Sequence, residues 1–386
     1  MRPKVVIVIP TYNEAGNVAP VTSALAQVFR LCTGYDIHIL FVDDNSPDGT
    51  RVKINQLIKK YPYVHILNNK RKGGLGHAYK KGFVVAIDKY KADIIFEFDA
   101  DLQHDPIIIP TMLKHIELGS DMVMGSRYIE GGGIPKNWGL HRKLLSRFGN
   151  IFIKLVMFNF SIHDWTAGYR AIKKEVILQI LPLMNNTAFQ GYTWQIGLLV
   201  KTIQKGYKVS EVAYHFRDRT TGSSKLGPEY IFNTMRYIMK TRIQEIFKSR
   251  IFKFLITGGT GTIVQIIALY FYRMGLGYQI ANFISIETAI VSNFTLSNLW
   301  TFSDRRLLVV QIPGKFLQFN LASAGSILIQ MVIAFMGEKF IGLHTLFIVP
   351  IAGINVDTGM TFSIVGILVG MFWNFFAYSR FVWKKK

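Results

Sequence analysis

Residues 94–105 read IIFEFDADLQHD. An extended run, Ile94 to Phe98, gives way at once to Asp99-Ala100-Asp101. A short, mostly apolar run bounded by turn-forming residues reads as a buried strand. Carboxylates at i and i+2 just past its end can share one hard divalent cation where the backbone turns between them. Gln103 and His104 follow in position to complete such a shell. Working outward, the same pattern repeats upstream. Val5 to Ile9 is a β-branched apolar run broken by Pro10-Thr11-Tyr12-Asn13-Glu14, and a helical pattern follows from Asn17 to about Leu31. Ile37 to Val42 is a second strand, ending in Asp43-Asp44-Asn45-Ser46-Pro47-Asp48-Gly49. A helix from about Thr50 to Lys60, a strand from Val64 to Leu67 and a helix opened by Gly73-Gly74-Leu75-Gly76 complete the run. Strands that read as continuous apolar runs and alternate with helices predict an open, mostly parallel sheet, with binding loops at the carboxyl ends of the strands. Asp and Asn also serve as caps and turn formers. Three polar clusters on one sheet edge exceed what capping requires.

The dinucleotide fingerprint is absent, because the first strand runs into PTYNEAGN and not into a glycine turn. There is no P-loop motif. The single cysteine, Cys32, permits neither an intramolecular disulfide nor a thiolate zinc site. VVIVIP near the N-terminus is too short for the apolar core of a signal peptide, so the front part is expected to stay cytoplasmic.

The chain has 386 residues, half of them hydrophobic, with a net charge of +21. Such an excess suits anionic partners. A composition break near Arg250 turns that expectation toward a membrane surface and away from nucleic acid. Beyond it lie only ten Lys or Arg and four Asp or Glu. Phe254–Tyr272, Phe316–Gly337 and Thr358–Ser379 are free of charge and long enough to cross a bilayer core. Tyr278–Phe302 is a fourth candidate interrupted by Glu287, a carboxylate that must face other helices. Ile341–Val356 reads as a short re-entrant or external segment. Lys248, Arg250 and Lys253, then Arg305, Arg306 and Lys315, then Arg380 and Lys384 to Lys386 fall on one side of these spans, against Arg273 and Lys339 on the other. The positive-inside rule therefore places both termini in the cytoplasm. Leu140–Phe160 and Tyr230–Lys253 mix basic and apolar residues and read as amphipathic helices lying in the membrane interface.

PTYNE, VDDNSPDGT, GGLGHA, DADLQHDP and GSRY, with DWTAGYRA, GYTWQIGL and RTTGSSK further on, resemble in content and order the family 2 glycosyltransferases of GT-A fold, above all the dolichyl or polyprenyl phosphate mannose synthases. KFLITGGTGT and SNFTLSNLWTF resemble the four-helix GtrA-like membrane domains. The resemblance implies a GT-A domain over residues 1–227, an interfacial helix over 228–250 and a transmembrane domain over 251–386. It implies that Pro10, Tyr12, Glu14, Val42, Asp43, Asp44, Asp99 and Ala100 hold the nucleotide. Asp99, Asp101 and Gln103 match a site for Mg²⁺ or Mn²⁺. Arg127, Arg142 and Ser146 match a lipid-phosphate site, and Arg219 and Lys225 a basic loop near the diphosphate. Asp101 and Arg127 are the implied catalytic pair. The expected reaction moves one sugar, mannose from GDP-mannose, onto a polyprenyl (dolichyl) phosphate with inversion. The Gln-x-x-Arg-Trp motif of processive synthases is absent, which favours transfer of a single sugar. UDP-glucose as donor, and a non-catalytic role in flipping lipid-linked sugars, stay open at this point, as does the oligomeric state.

Overall fold

The computed structural model describes residues 2–184, 189, 192–217, 228–303, 306–349 and 354–377. They form two compact units, residues 1–242 and 243–386.

In the first unit the strands and helices run in chain order as β1 (Lys4–Thr11), α1 (Val18–Phe29), β2 (Asp36–Asp43), α2 (Thr50–Lys60), β3 (Val64–Asn68), α3 (Leu75–Asp88), β4 (Ile94–Glu97), α4 (Ile109–Glu117), β5 (Met122–Ser126), α5 (Leu140–Met157), β6 (Arg170–Lys173), α6 (Lys174–Ile180), α7 (Tyr192–Gln204) and β7 (Val209–Ala213). The strands make one seven-stranded sheet in the order β3-β2-β1-β4-β6-β5-β7. It is parallel except at β6, which runs against both β4 and β5. That reversal carries the segment before Arg170 to the same sheet edge as the ends of β1, β2 and β4.

The two-residue period of a strand divides the central side chains between two cores. Val6, Val8, Leu40 and Val42 face α3, α5, α6 and α7. Val5, Ile7, Ile9, Ile39 and Phe41 face α1, α2 and α4. Helix α3 lies close on the sheet because Gly82 has no side chain. A Cβ there would stand 2.4 Å from Val8 Cγ1. Helix α5 buries only Asn150 and Ile153, while Leu144, Phe148, Ile151 and Leu155 are exposed along one face beside Arg147 and Lys154. This is the amphipathic pattern expected from the sequence.

Helix α8 (Pro228–Lys248) buries Ile238 in the first core and joins Thr234 to Thr193 at 2.9 Å. The sequence suggests one helical stretch through Lys253. Instead the chain breaks at Ser249, whose hydroxyl caps the next helix by accepting from Phe252 N at 3.1 Å.

The second unit holds α9 (Arg250–Tyr272), α10 (Tyr278–Leu296), α11 (Ile312–Phe340) and α12 (Thr358–Ala377). Helices α9 and α11 are each long and apolar enough to cross a bilayer core. The stretch after α11, expected over 341–356 as a re-entrant or external segment, carries the antiparallel strands β8 (Thr345–Val349) and β9 (Ile354–Asp357). Polar side chains pair between these helices. Asn320 Nδ2 donates to Glu287 Oε2 at 2.9 Å, Gln265 Nε2 to Gln330 Oε1 at 3.0 Å, and Ser363 Oγ to Asn282 Oδ1 at 3.0 Å.

Candidate active site

Register alone brings the first two polar clusters together. Pro10 pairs with Val42 and Thr11 with Asp43 as β1 and β2 end in step. Hydrogen bonds then lace the loops beyond them. Asn13 N donates to Ser46 Oγ at 3.0 Å, Glu14 N to Thr50 Oγ1 at 2.9 Å, and Ala15 N to Asp48 Oδ2 at 3.1 Å. Asp43 is fully buried and accepts from the Ser46 hydroxyl at 2.6 Å. Tyr12 lies under the Lys72 ammonium, 3.8 Å from its ring centre.

Asp44 does something its motif does not announce. Its carboxylate accepts from Asn69 Nδ2 at 2.6 Å, Gly73 N at 2.8 Å and Gly74 N at 2.7 Å. It therefore clamps the glycine turn that starts α3, where Gly74 has φ +84°. The nucleotide contact expected of Asp44 competes with three donors already in place.

Asp99, Ala100 and Asp101 lie just past β4, the neighbour of β1 on the side away from β2. Tyr79 of α3 donates its hydroxyl to Asp99 Oδ1 at 3.1 Å. His104 Nδ1 accepts from Asp99 N at 3.1 Å, which leaves the ring proton on Nε2, 3.7 Å from Asp99 Oδ2. Burial pushes the His104 imidazole down to about 4, so the ring is neutral at pH 7. His104 was expected as a further cation ligand, but its ring is turned to the Asp99 backbone and stacked on Tyr169 at 4.8 Å. Gln103 N donates to Asp101 Oδ1 at 3.2 Å, and Gln103 Nε2 to Arg217 O at 3.1 Å. Behind the motif, Glu97 and Arg170 are fully buried partners at 3.3 Å. Trp194 Nε1 donates to the other Glu97 oxygen at 2.7 Å.

The cations stand beyond β5 and on α5. Arg127 follows β5, and its guanidinium is held by a residue 37 positions away. Nε donates to Asp164 Oδ2 and Nη2 to Asp164 Oδ1, both at 2.7 Å, and Nη2 also reaches Thr166 Oγ1 at 2.7 Å. Burial alone would raise the Asp164 pKa, but Arg127 brings it below the usual carboxylate range. The two-pronged grip on a phosphate expected of Arg127 is therefore taken by Asp164, and Nη1 is the nitrogen left without a hydrogen bond among the described residues. The Arg142 guanidinium carbon lies over Trp138, 3.8 Å from the ring centre. Trp138 meets Phe216 edge-on at 5.6 Å, and Phe216 lies 5.3 Å from the Arg127 guanidinium carbon. Ser146 Oγ and Tyr128 Oη share a hydrogen bond at 2.6 Å. Arg127, Arg142 and Ser146 are thus gathered into one patch with Tyr128, Trp138 and Phe216 between them. Arg219 and Lys225 lie outside the described residues.

Sequence reasoning did not single out Tyr79, Asp164, Trp138 or Phe216. Asp164 stands in the quoted DWTAGYRA segment, and an acid at that sheet edge was the available signal. The two sides differ in charge: carboxylates at the ends of β2 and β4, guanidiniums past β5 and on α5. A substrate with a cation-bridged diphosphate at one end and a second phosphate facing it would meet both.

Residues 6–181 match the model of glycosyl transferase family 2, and residues 253–383 that of the GtrA/DPMS transmembrane domain. A dolichol-phosphate mannosyltransferase of Pyrococcus furiosus is 33% identical over 368 residues, covering 94% of this chain and 97% of that one. A polyprenol monophosphomannose synthase of Mycolicibacterium smegmatis is 35% identical over 233 residues, 60% of this chain and 84% of its own. Among solved structures, mannosyl-3-phosphoglycerate synthase from Rubrobacter xylanophilus aligns with 63% of this chain and 75% of its own at 17% identity, with a TM-score of 0.47.

Proposed function

The chain belongs to the dolichol-phosphate mannosyltransferase family, glycosyltransferases of family 2 joined to a GtrA/DPMS transmembrane domain, and from that membership we propose how its residues divide the work. It is a membrane protein and an enzyme. It transfers one mannose from a nucleotide-sugar, GDP-mannose, to a polyprenyl phosphate. The observation that carries the residue assignment is the convergence of Asp99 and Asp101 on one sheet edge with the Arg127–Arg142 patch.

The loops after β1 and β2, with Pro10, Tyr12, Glu14, Val42 and Asp43, take the nucleoside. Asp44 shapes that pocket through the glycine turn. Asp99 and Asp101 would hold a divalent cation at the diphosphate end. Two carboxylates beside the Gln103 amide are hard oxygen donors, which suit Mg²⁺ or Mn²⁺. Such an ion, when bound, supplies neutralising charge to the departing nucleoside diphosphate. The acceptor oxygen is already anionic at pH 7, so no strong general base is needed. Arg142 and Nη1 of Arg127 hold the lipid phosphate for in-line attack. A phosphate oxygen bonds to the anomeric carbon, the bond from that carbon to the diphosphate breaks, and the leaving group takes the electron pair. Catalysis is then positioning and electrostatics.

Residues 1–227 form the catalytic domain, 228–250 an interfacial helix and 251–386 the membrane domain. Helices α9 to α12 cross the membrane as four spans with the catalytic domain on the cytoplasmic side, as the positive-inside asymmetry requires. The test is a donor comparison. Purified protein in detergent is given polyprenyl phosphate with radiolabelled GDP-mannose or UDP-glucose. Label should enter lipid from GDP-mannose. Transfer from UDP-glucose alone would replace mannose with glucose in this reading.

A further inference from the structure

We infer that Tyr79 is a positioning residue that fixes the Asp99 carboxylate while His104 holds the Asp99 backbone N–H, and that Asp44 sets Tyr79 from a distance. The inference deepens the donor-site reading given above and rests on it.

The Asp44 carboxylate holds Gly73 and Gly74 by their backbone N–H groups, and α3 starts at the next residue, Leu75. Tyr79 lies in the following turn of that helix. Its ring is fully buried, parallel to Trp194 at 6.5 Å and tilted against Phe83 at 5.8 Å. Among the described residues the hydroxyl hydrogen-bonds one group, Asp99 Oδ1, at 3.1 Å. A buried phenol otherwise lacks a partner, so this hydrogen bond is strongly selected. On the other side, His104 Nδ1 accepts from Asp99 N at 3.1 Å, which obliges the ring to carry its proton on Nε2, 3.7 Å from Asp99 Oδ2. Ring stacking on Tyr169 holds that orientation. A neutral phenol donor orients a carboxylate without cancelling its charge, whereas Lys or Arg in its place would compete with a cation for it. Because Asp44, the Gly73–Gly74 turn, Tyr79 and Asp99 form one chain of contacts, three separate sequence motifs act on a single side chain.

Tyr79→Phe keeps the ring and its stacking and removes only the donor. The measurement is Mn²⁺ binding in the presence of GDP, followed by the paramagnetic resonance of free Mn²⁺, beside steady-state transfer. Tyr79→Phe should weaken Mn²⁺ binding about three- to tenfold and raise the donor KM while leaving the polyprenyl phosphate KM unchanged. Loss of packing alone would lower the melting midpoint and leave Mn²⁺ affinity in place. Asp99→Asn separates the two levels. If it leaves Mn²⁺–GDP binding intact, the donor-site reading itself fails. If Asp99→Asn abolishes that binding and Tyr79→Phe leaves it within twofold of the parent, the donor site stands and the positioning role is overturned.

Discussion

Replacing Asp164 with asparagine preserves shape and removes one charge from a buried ion pair at the site. Asp164 is fully buried, and Arg127 gives it three hydrogen bonds, from Nε, Nη2 and its own backbone N at 2.7–3.0 Å. An amide presents a donor where two of these donors point, and it leaves the guanidinium without a countercharge. Removing one partner of a buried pair costs about 3–5 kcal/mol. For a unit of this size that corresponds to a fall of roughly 6–20 °C in melting midpoint. The folded pKa of Asp164 is depressed, so its contribution is present above the unfolded value of about 3.9 and is lost as pH falls below it. The parent should therefore lose more stability than Asp164→Asn on acidification below about pH 4. Releasing the Arg127 fork should also raise the KM for polyprenyl phosphate, with donor affinity little changed. Thermal melts in detergent from pH 3 to 7, together with acceptor kinetics, test both halves. A midpoint within about 2 °C of the parent at pH 7, with unchanged acceptor kinetics, would refute the claim that Asp164 holds Arg127 in place.

Asp101→Ala should abolish turnover while the protein stays folded, and near-normal rates across a divalent-metal titration would remove the DAD segment from the chemistry. Arg142→Ala should impair use of polyprenyl phosphate about 10- to 150-fold, the size of a charge-assisted contact, and Arg142→Lys should restore only part, because an ammonium keeps the charge without the planar fork. Calorimetric GDP-mannose binding should barely change in either variant. His65 touches His38 at 3.0 Å, stacks on Tyr90 and is held down to about 4, so stability should fall as pH drops from about 6.5 toward 4 and fall less in His65→Gln. In a Cys32→Ser background, cysteines placed at residues 273–277 should label only from outside sealed vesicles and one placed among Lys384 to Lys386 only from inside, and labelling of both from one face would exclude the four-span arrangement.

Strand ends were legible because apolar runs stop abruptly at Pro10, Asp43 and Asp99, and period and turn chemistry are local properties. The sequence could not show which ends become neighbours. Sheet order and the reversed β6 depend on pairings between segments far apart in the chain. The roles that shifted have the same origin. Asp44 looked like a ligand-binding acid because its partners, Asn69, Gly73 and Gly74, lie 25 to 30 residues away. Arg127 looked like an unencumbered phosphate hand because Asp164 lies 37 residues on. His104 looked like a cation ligand because no local rule tells which ring nitrogen faces which atom. The amphipathic helix α5 could be read in advance, since the period that exposes Leu144, Phe148, Ile151 and Leu155 is written within one turn of each residue.

The reversed strand β6 brings together the two ends of the segment that carries the proposed lipid-phosphate patch. Arg127 leaves the sheet beside the point where Asp164 returns toward it, and β5 and β6 are hydrogen-bonded neighbours, with Gly125 N donating to Tyr169 O at 2.9 Å. Residues 128–163, with Trp138, Arg142 and Ser146, are consequently a cassette whose two ends meet at the Arg127–Asp164 pair and whose Ile153 and Ile162 anchor it in the core. Grafting this cassette from a relative that uses a shorter or longer prenyl chain should exchange acceptor preference without disturbing the donor half, provided the arginine and aspartate at the seam travel together.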